Sequence, residues 1–244
     1  MKPEAQVLWS ERTREEFADW AERGAVVVVP IGAVEQHGLA LPVDTDNRQV
    51  GFLALEAARR TAAPVLVTPV IPFGISPHHL MYPAGTITLR VETFLRLLTE
   101  VCESIVKHGF DRVLLLNGHG GNMGAISAAA LELRSRLGCQ IQAANWWELI
   151  LEVFPEVCEG PVTETIGHAG EAEASCVMAL TPESVRQVRL QVVPGVTDNP
   201  ARGTPEKGRR ILAAAAAAIA HLVEQMASRP GREVVGIPTY AERH

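Results

Sequence analysis

Residues 25–46, AVVVVPIGAVEQHGLALPVDTD, decide the fold, because an unbroken apolar run passes directly into a turn-rich segment with polar side chains. The run from Ala25 to Ile31 shows no alternation of apolar and polar residues, which is typical of a parallel strand covered on both faces. Similar runs extend from Pro64 to Ile71 and from Arg112 to Asn117, and a fourth candidate extends from Gln140 to Asn145. These runs predict the strands of a buried, mostly parallel sheet.

Helical patterns lie between the predicted strands. Apolar residues recur at three- and four-residue spacings in Asn47–Thr61, Val91–Lys107 and Gly124–Leu137, and an alanine-rich helix begins near Ile211. This alternation predicts an α/β fold, a single layered domain over residues 1–244 with a mostly parallel central sheet flanked by helices. Ligands of such folds bind beyond the carboxyl ends of the strands.

The composition excludes several classes of partner. The 244 residues carry 22 Lys+Arg against 28 Asp+Glu, a formal charge of -6, with no basic cluster that could follow a phosphate backbone, so nucleic acid is not expected. The first residues contain no apolar signal region, and no stretch reaches the ~18 to 20 apolar residues that span a bilayer. We therefore expect no membrane partner and a cytoplasmic location. The four cysteines form no C-x-x-C pair, which argues against a thiolate zinc site.

Potential metal ligands follow the first strand. Glu35 and His37 lie two residues apart, so on extended backbone they project to the same side, and a loop through Pro42 could return Asp46 to them. Two carboxylates and an imidazole suit Zn, Mn or Fe. The alternative is a solvated loop with an incidental histidine, since acidic residues are common in loops.

The third strand ends in NGHGGN, which places His119 among glycines directly before a helix. Glycines allow tight turns and close backbone approach, and a helix N-terminus stabilises a developing anion. A phosphate-binding loop is the alternative, but the spacing matches neither of the common glycine-rich phosphate motifs. Because two strand ends present a histidine, the pattern favours a metal centre in one crevice.

A third polar segment, GHAGEAEAS, places His168, Glu171 and Glu173 at the start of a helix that is predicted to reach Ala179. One of the two acids is a candidate ligand. Spacing does not choose between them, although His168 and Glu171 would share a helical face. Acids in a first helical turn also simply complement the helix dipole.

The three segments PIGAVEQHG…DTD, LLLNGHGGN and HAGEAEAS resemble the signature blocks of the creatininase (creatinine amidohydrolase) family. The resemblance covers Val26 to Met178 and includes SPHHLMYPAGTITL, which is similar to a family loop ending in Gly-Thr-Ile. It implies a layered α/β domain with a mostly parallel sheet. It also implies a homo-oligomer, often a hexamer, that acts on a small-molecule substrate.

The resemblance also implies a site with two divalent metal ions, Zn, Mn or Fe. It places Glu173 rather than Glu171 in the ligand set, and His168 beside the ions as an acid/base or substrate-orienting group. Asp46 would bridge the two ions. The implied ligands are Glu35, Asp46 and His119 for one ion, and His37, Asp46 and Glu173 for the other.

The chemistry that follows is hydrolysis of a non-peptide C–N bond, in a cyclic amide, a formamide or a related compound. Two ions ~3.5 to 4 Å apart can lower the pKa of a shared water and supply a bridging hydroxide as nucleophile. His168 would protonate the leaving nitrogen. The candidate substrate contacts are Trp146, Trp147, His79, Gly120 and Gly121. Core packing is the alternative role for the two tryptophans.

Departures from the family pattern bear on the substrate. Members that act on creatinine resemble NGHYEN in the second block, where this chain has Gly120 and Gly121. The pattern here is closer to members that remove formyl groups from formamidopyrimidine compounds, or that process the mycofactocin precursor peptide. Ala40 stands where many members have a second histidine, and Ala84 is an insertion before Gly85.

Two other classes of function compete with this interpretation. A nucleophilic hydrolase could pair Ser76 with His79, or Ser175 with Cys176, but no G-x-S-x-G elbow supports it. A metal-stabilised binding protein without catalysis could use the same ligands. Structural zinc sites favour four closed Cys or His ligands, whereas a carboxylate-rich set suits catalysis.

Overall fold

The computed structural model describes residues 1–82, 85–160 and 166–232. Its centre is a sheet formed by β1 (Val26–Ile31), β2 (Val65–Val67), β3 (Arg112–Asn117) and β4 (Gln140–Asn145). The strands are parallel and lie in the order β2-β1-β3-β4, with Val26 opposite Arg112 and Arg112 opposite Gln140. The predicted fold class is confirmed.

Seven α-helices surround the sheet in the described residues: α1 (Glu16–Glu22), α2 (Thr45–Arg60), α3 (Val91–Lys107), α4 (Met123–Leu137), α5 (Phe154–Val157), α6 (Glu171–Leu180) and α7 (Pro205–Ala227). The residues of α2, α6 and α7 pack on one face of the sheet, and those of α3 and α4 pack on the other. α1 and α5 are short helices that the sequence patterns did not predict.

The strand side chains divide between two apolar cores. On β1, Val26 and Val28 point towards α2 and α7, while Val27 and Val29 point towards α3 and α4. Because both faces of the sheet are covered, every residue of β1 is buried. This burial explains why the strand reads as a continuous apolar run.

Strand β2 is shorter than the predicted run from Pro64 to Ile71. Pro69 has no N–H to donate to a ladder, and regular pairing ends at Val67. The chain returns to the sheet at Ile71, whose N–H donates to the Pro30 carbonyl at 2.9 Å.

Helix α7 begins six residues before the alanine-rich tract. Thr204 caps it by accepting a hydrogen bond from the Lys207 N–H at 3.2 Å, and Pro205 occupies the first helical position. Among the described residues, α7 is the one helix whose length and apolar content would allow it to cross a bilayer. Its buried face packs on α2 and α6, and 44% of its most apolar stretch is inside the protein.

Two helix boundaries position the polar residues at the carboxyl end of the sheet. Helix α2 begins at Thr45, before the predicted start at Asn47, so Asp46 lies in its first turn and not in a loop. Helix α6 begins at Glu171, so His168 lies outside it. Both helices therefore direct their N-terminal ends towards the polar segments that follow β1 and β3.

Candidate metal centre

Potential ligands from four parts of the chain converge beyond the carboxyl ends of β1 and β3. Two groups have all their ligand atoms within 4.8 Å of one another, and every member is buried. The first group contains Glu35, Asp46 and His119, and the second contains His37, Asp46 and Glu173. Asp46 is common to both.

The two oxygens of Asp46 face different groups. Oδ2 lies 3.1 Å from His119 Nδ1, which is itself 3.2 Å from Glu35 Oε1. Oδ1 lies 3.2 Å from His37 Nε2, which is 3.5 Å from Glu173 Oε2. Asp46 therefore lies between the two groups, with one oxygen facing each.

Several of these buried atoms have no hydrogen bond of acceptable geometry to any described residue, although they lie close to each other. They are Glu35 Oε2, His37 Nε2 and Asp46 Oδ2. Buried charged groups are costly unless they are paired, hydrogen-bonded or bound to metal. Polar atoms that lie close together without forming hydrogen bonds are typical of side chains that all point at one position between them. The donor set of carboxylates and imidazoles fits Zn, Mn or Fe.

The carboxylates of this cluster stabilise positive charge on the two imidazoles. Burial alone would lower the pKa of His119, but short contacts with Asp46 and Glu35 and their charges raise it to about 10. Burial opposes a charged His37 as well, yet Glu173 and Asp46 raise its pKa well above the ordinary value. Metal-free protein thus retains protons on both imidazoles, which a divalent ion would displace.

Contacts on the outer side of each imidazole orient the inward nitrogen. His119 Nε2 lies 3.1 Å from the Ile75 carbonyl and 3.0 Å from Ser76 Oγ. His37 Nδ1 lies 3.1 Å from the Glu35 carbonyl. A carbonyl can only accept, so these nitrogens carry the hydrogen and leave His119 Nδ1 and His37 Nε2 free to bind metal.

The NGHGGN loop holds His119 through its own side chains and glycines. Asn117 Oδ1 accepts the His119 N–H at 3.1 Å, and Asn117 Nδ2 donates to the His119 carbonyl at 2.8 Å. A Cβ on Gly121 would lie 2.1 Å from the Ile75 carbonyl and 2.5 Å from His119 Nε2, whereas a Cβ on Gly120 would meet nothing within 4 Å. Gly121 thus permits close packing, and Gly120 leaves open space at the site.

A cavity opens over the ligand groups and contains most of the predicted substrate contacts. Both tryptophans are buried in the apolar core, but only Trp147 also lines the cavity, while Trp146 packs against Phe154. Ala40 is buried but does not line it, and Ala84 lies outside the described residues. The lining comprises Glu35, Asp46, His78, His79, Gly118, His119, Gly120, Gly121, Trp147, Ile166, Gly167, His168 and Glu173.

His168 stands beside the first ligand group. Its Nδ1 lies 3.2 Å from Glu35 Oε1, and its Nε2 donates to the Gln36 carbonyl at 2.7 Å. The next residue, Ala169, has φ +53°, and its N–H donates to Glu173 Oε2. Such left-handed backbone is uncommon for a residue with a Cβ, and here it places His168 and Glu173 on the same side.

Glu171 faces away from the cluster, although it is as deeply buried as Glu173. Its carboxylate accepts hydrogen bonds from the N–H groups of Glu159 and Gly160 and from Lys207 Nζ at 2.6 Å. Of the two acids that spacing did not distinguish, the structure brings Glu173 to the cavity.

The serine and cysteine pairs lack the arrangement of a nucleophile and its base. Ser76 Oγ contacts the outer nitrogen of His119 and not His79. Ser175 Oγ donates to the Glu171 carbonyl and accepts the Thr204 N–H, so it stabilises the helix start. Burial raises the pKa of the Cys176 thiol well above its ordinary value. The geometry therefore favours metal chemistry.

The sequence patterns did not predict two residues of the site. Gln36 lies between the ligand candidates Glu35 and His37 and is 4% exposed, with its amide nitrogen 2.8 Å from His79 Nδ1. His78 is exposed and lines the cavity beside His79. The sequence does show that Gln36 stands between two candidate ligands, but it does not show that the Gln36 side chain turns inward.

The family model described as "Creatininase: Creatinine amidohydrolase" matches residues 10–223. The chain belongs to the creatininase family. A curated member, the mycofactocin precursor peptide peptidase of Mycobacterium tuberculosis, is 32% identical over 218 residues, which cover 77% of this chain and 80% of that protein. The creatinine amidohydrolase of Pseudomonas putida is 28% identical, with 80% and 79% covered. A 5'-monophosphate deformylase of Methanothermobacter thermautotrophicus, whose substrate is a formylamino pyrimidine, is 29% identical, with 66% and 61% covered.

Solved creatininases have the same fold. A creatininase described as the Mn form superposes with a TM-score of 0.78 at 25% identity, covering 92% of this chain and 100% of that chain. A mutant creatininase of the Zn-Zn type gives a TM-score of 0.78 at 25% identity, with 92% and 99% covered. The resemblance to the creatininase family is thus confirmed, and its members include hydrolases whose solved forms carry Zn or Mn.

Proposed function

We propose that this creatininase-family protein is a hydrolase with two divalent metal ions that cleaves an amide-like, non-peptide C–N bond. The observation that carries the proposal is the pair of ligand groups that share Asp46, with buried oxygen and nitrogen atoms that lack hydrogen bonds. Glu35, Asp46 and His119 would hold one ion, and His37, Asp46 and Glu173 the other. Such ions polarise a carbonyl and lower the pKa of water.

The remaining residues have roles that follow from their positions. His168 Nδ1 faces the ligand groups, so it can accept a proton from water and return it to the leaving nitrogen. The backbone around Gly120 and Gly121 lines the cavity where an oxyanion would form. His79 and Trp147 complete the wall against which the substrate is oriented.

A peptidase is the second candidate, because the mycobacterial relative that is 32% identical carries that name. The open space beside Gly120 is compatible with either an extended peptide or a compact ring. The two substrate classes are distinguished by activity. Creatinine, a formylamino pyrimidine and peptides of increasing length should be compared on the same metal-loaded protein.

Metal content is the first test. Protein purified without a histidine tag and analysed by elemental methods should contain two equivalents of metal, and Asp46→Asn should contain far less. Asp44→Asn is the matched control, since Asp44 is a nearby acid that pairs with Arg48 at 2.8 Å, outside the ligand groups. A wild type that binds no Zn, Mn or Fe would contradict the proposal, and two bound ions without any hydrolysis would favour a binding protein.

Assembly and location are part of the same proposal. We expect a homo-oligomer, as the family resemblance implies, and a cytoplasmic location, as the sequence patterns indicate. Light scattering coupled to size exclusion measures the mass of the oligomer directly. A monomer at micromolar concentration would contradict this expectation.

A further inference from the structure

We propose that Gln36 is a positioning residue that fixes where His79 and His168 carry their hydrogens in the cavity. Its side chain makes His79 Nε2 a donor, and its backbone carbonyl accepts from His168 Nε2. The catalytic meaning of these roles rests on the proposed hydrolase function, but the hydrogen-bond pattern itself does not.

The orientation of the Gln36 amide is fixed by two backbone partners. Its Oε1 is 2.9 Å from the Gly38 nitrogen, an N–H that can only donate. Its Nε2 is 3.2 Å from the Gly195 carbonyl, which can only accept. If the amide were reversed, its NH₂ group would face the Gly38 N–H and its oxygen would face the Gly195 carbonyl. Only one orientation therefore satisfies both contacts.

The second hydrogen of the amide determines the state of His79. Gln36 Nε2 lies 2.8 Å from His79 Nδ1, which therefore accepts. A neutral imidazole that accepts at Nδ1 carries its hydrogen at Nε2. That nitrogen lies 3.6 Å from Glu35 Oε2, and the ring lines the cavity. His79 thus offers a donor to the substrate side.

The backbone of the same residue determines the state of His168. His168 Nε2 donates to the Gln36 carbonyl at 2.7 Å. The 3.1 Å approach of Gln36 Nε2 to the same nitrogen is not a hydrogen bond, because both amide hydrogens are already used. His168 Nδ1 faces Glu35 Oε1 at 3.2 Å, while the stacked His79 ring, 4.3 Å away between centroids, presents a donor to the cavity.

The pattern specifies the polarity of the substrate group that fits beside His79. A carbonyl or carboxylate oxygen would accept from His79 Nε2. It also assigns His79 a role other than metal binding, although Glu35, His78 and His79 have ligand atoms close enough to hold an ion.

Close packing keeps the amide in place. Gly195 has φ +88°, and a Cβ there would lie 2.8 Å from Gln36 Nε2 and 3.0 Å from the Tyr82 ring. The segment around Gly195 can therefore approach Gln36 only because this residue is glycine. Gln36 is held on one side by that segment and on the other by the ligand loop.

Magic-angle-spinning NMR on sedimented, zinc-loaded protein with ¹⁵N-labelled histidine tests the pattern at any oligomer size. In the wild type, His79 and His168 should both carry hydrogen at Nε2, and His79→Gln and His168→Gln assign their signals. In Gln36→Glu at pH 8, a carboxylate oxygen faces His79 Nδ1, so the His79 hydrogen should move to Nδ1. His168 bonds to the backbone and should be unchanged, which makes it the internal control.

A wild-type His79 with hydrogen at Nδ1, or a His79 signal that is identical in Gln36→Glu, would overturn the proposal. So would a third metal equivalent bound through His79. Gln36→Met should leave His79 without a fixed tautomer and the metal content at two. Once a substrate is known, both variants should turn it over about 10- to 100-fold more slowly. If no substrate is found but the tautomers are as stated, the positioning role stands and the hydrolase proposal fails.

Discussion

The first turn of α6 contains two buried carboxylates with opposite surroundings. Glu171 is 1% exposed and accepts two backbone N–H groups and the Lys207 ammonium, so its charge is neutralised and hydrogen-bonded by the protein itself. Glu173 is 5% exposed and turns to His37 and to the carboxylate of Asp46 at the cavity.

The difference separates a structural buried charge from a functional one. A carboxylate whose partners are all present in the chain stabilises the fold and needs nothing more. A cluster with three carboxylates, two imidazoles and buried atoms without hydrogen bonds has the composition of a metal site. Burial alone does not distinguish the two acids, whereas the count of their partners does.

The largest effect should come from Asp46, which contacts both imidazoles. Asp46→Asn removes the shared charge, so metal content should fall well below two equivalents. Loss of metal assistance is worth several kcal/mol, so hydrolysis should fall at least ~10³-fold. Turnover and elemental analysis on the same preparation measure both. Full activity with two bound ions would show that Asp46 does not bridge.

The two α6 acids sharpen the comparison directly. Glu171→Gln should lower the free energy of unfolding by about 1–3 kcal/mol, because Lys207 loses its buried partner, while metal content is retained. Glu173→Gln should lose metal, so that added zinc no longer raises Tm. Denaturant titration and thermal melts with and without zinc check both variants. An exchange of the two phenotypes would reverse the assignment.

The buried charges of the ligand cluster predict that the unfolding free energy of protein stripped of metal by a chelator depends on pH. The pKa of His119 is about 10 in the fold against an ordinary value of 6.5, so its stabilising contribution is complete below pH 6.5 and is lost as pH rises towards 10. His37 acts in the same direction. Unfolding free energy should therefore fall between pH 7 and 10.

Denaturant titration across that range measures the slope, and His119→Gln is the control in which the slope should become shallower. The affinity of the protein for zinc should instead rise with pH over this range, because metal must displace protons from both imidazoles. A stripped protein whose stability is independent of pH between 7 and 10 would contradict the charge assignment.

The sequence predicted the sheet, and the residues that meet at its carboxyl end, better than the boundaries of the helices beside them. Continuous apolar runs identified β1 and β3, because burial on both faces leaves no other pattern, whereas the partly polar β4 was only a fourth candidate. Helix α2 was expected two residues late, since Thr45 and Asp46 are polar in sequence but buried in the fold. The role of Gln36 could not be predicted. Of the three residues that its side chain contacts here, only Gly38 is near it in sequence, while His79 and Gly195 are more than 40 residues away.

The smallest effect tests whether an unpaired buried atom at the cavity matters to the fold. Both tryptophan rings pack in the apolar core, but Trp147 also lines the cavity, and its buried Nε1 has no hydrogen-bond partner among the described residues. Trp147→Phe removes no hydrogen bond, and the space it leaves adjoins the cavity, so it should lower the unfolding free energy less than Trp146→Phe does, while KM for the substrate should rise. Trp146→Phe leaves an enclosed space in the core, so it should cost more stability and leave KM unchanged. Melts and steady-state kinetics on both variants decide: equal KM values would place Trp147 with the structural side chains, and a loss of stability as large as that of Trp146→Phe would show that its ring serves the core alone.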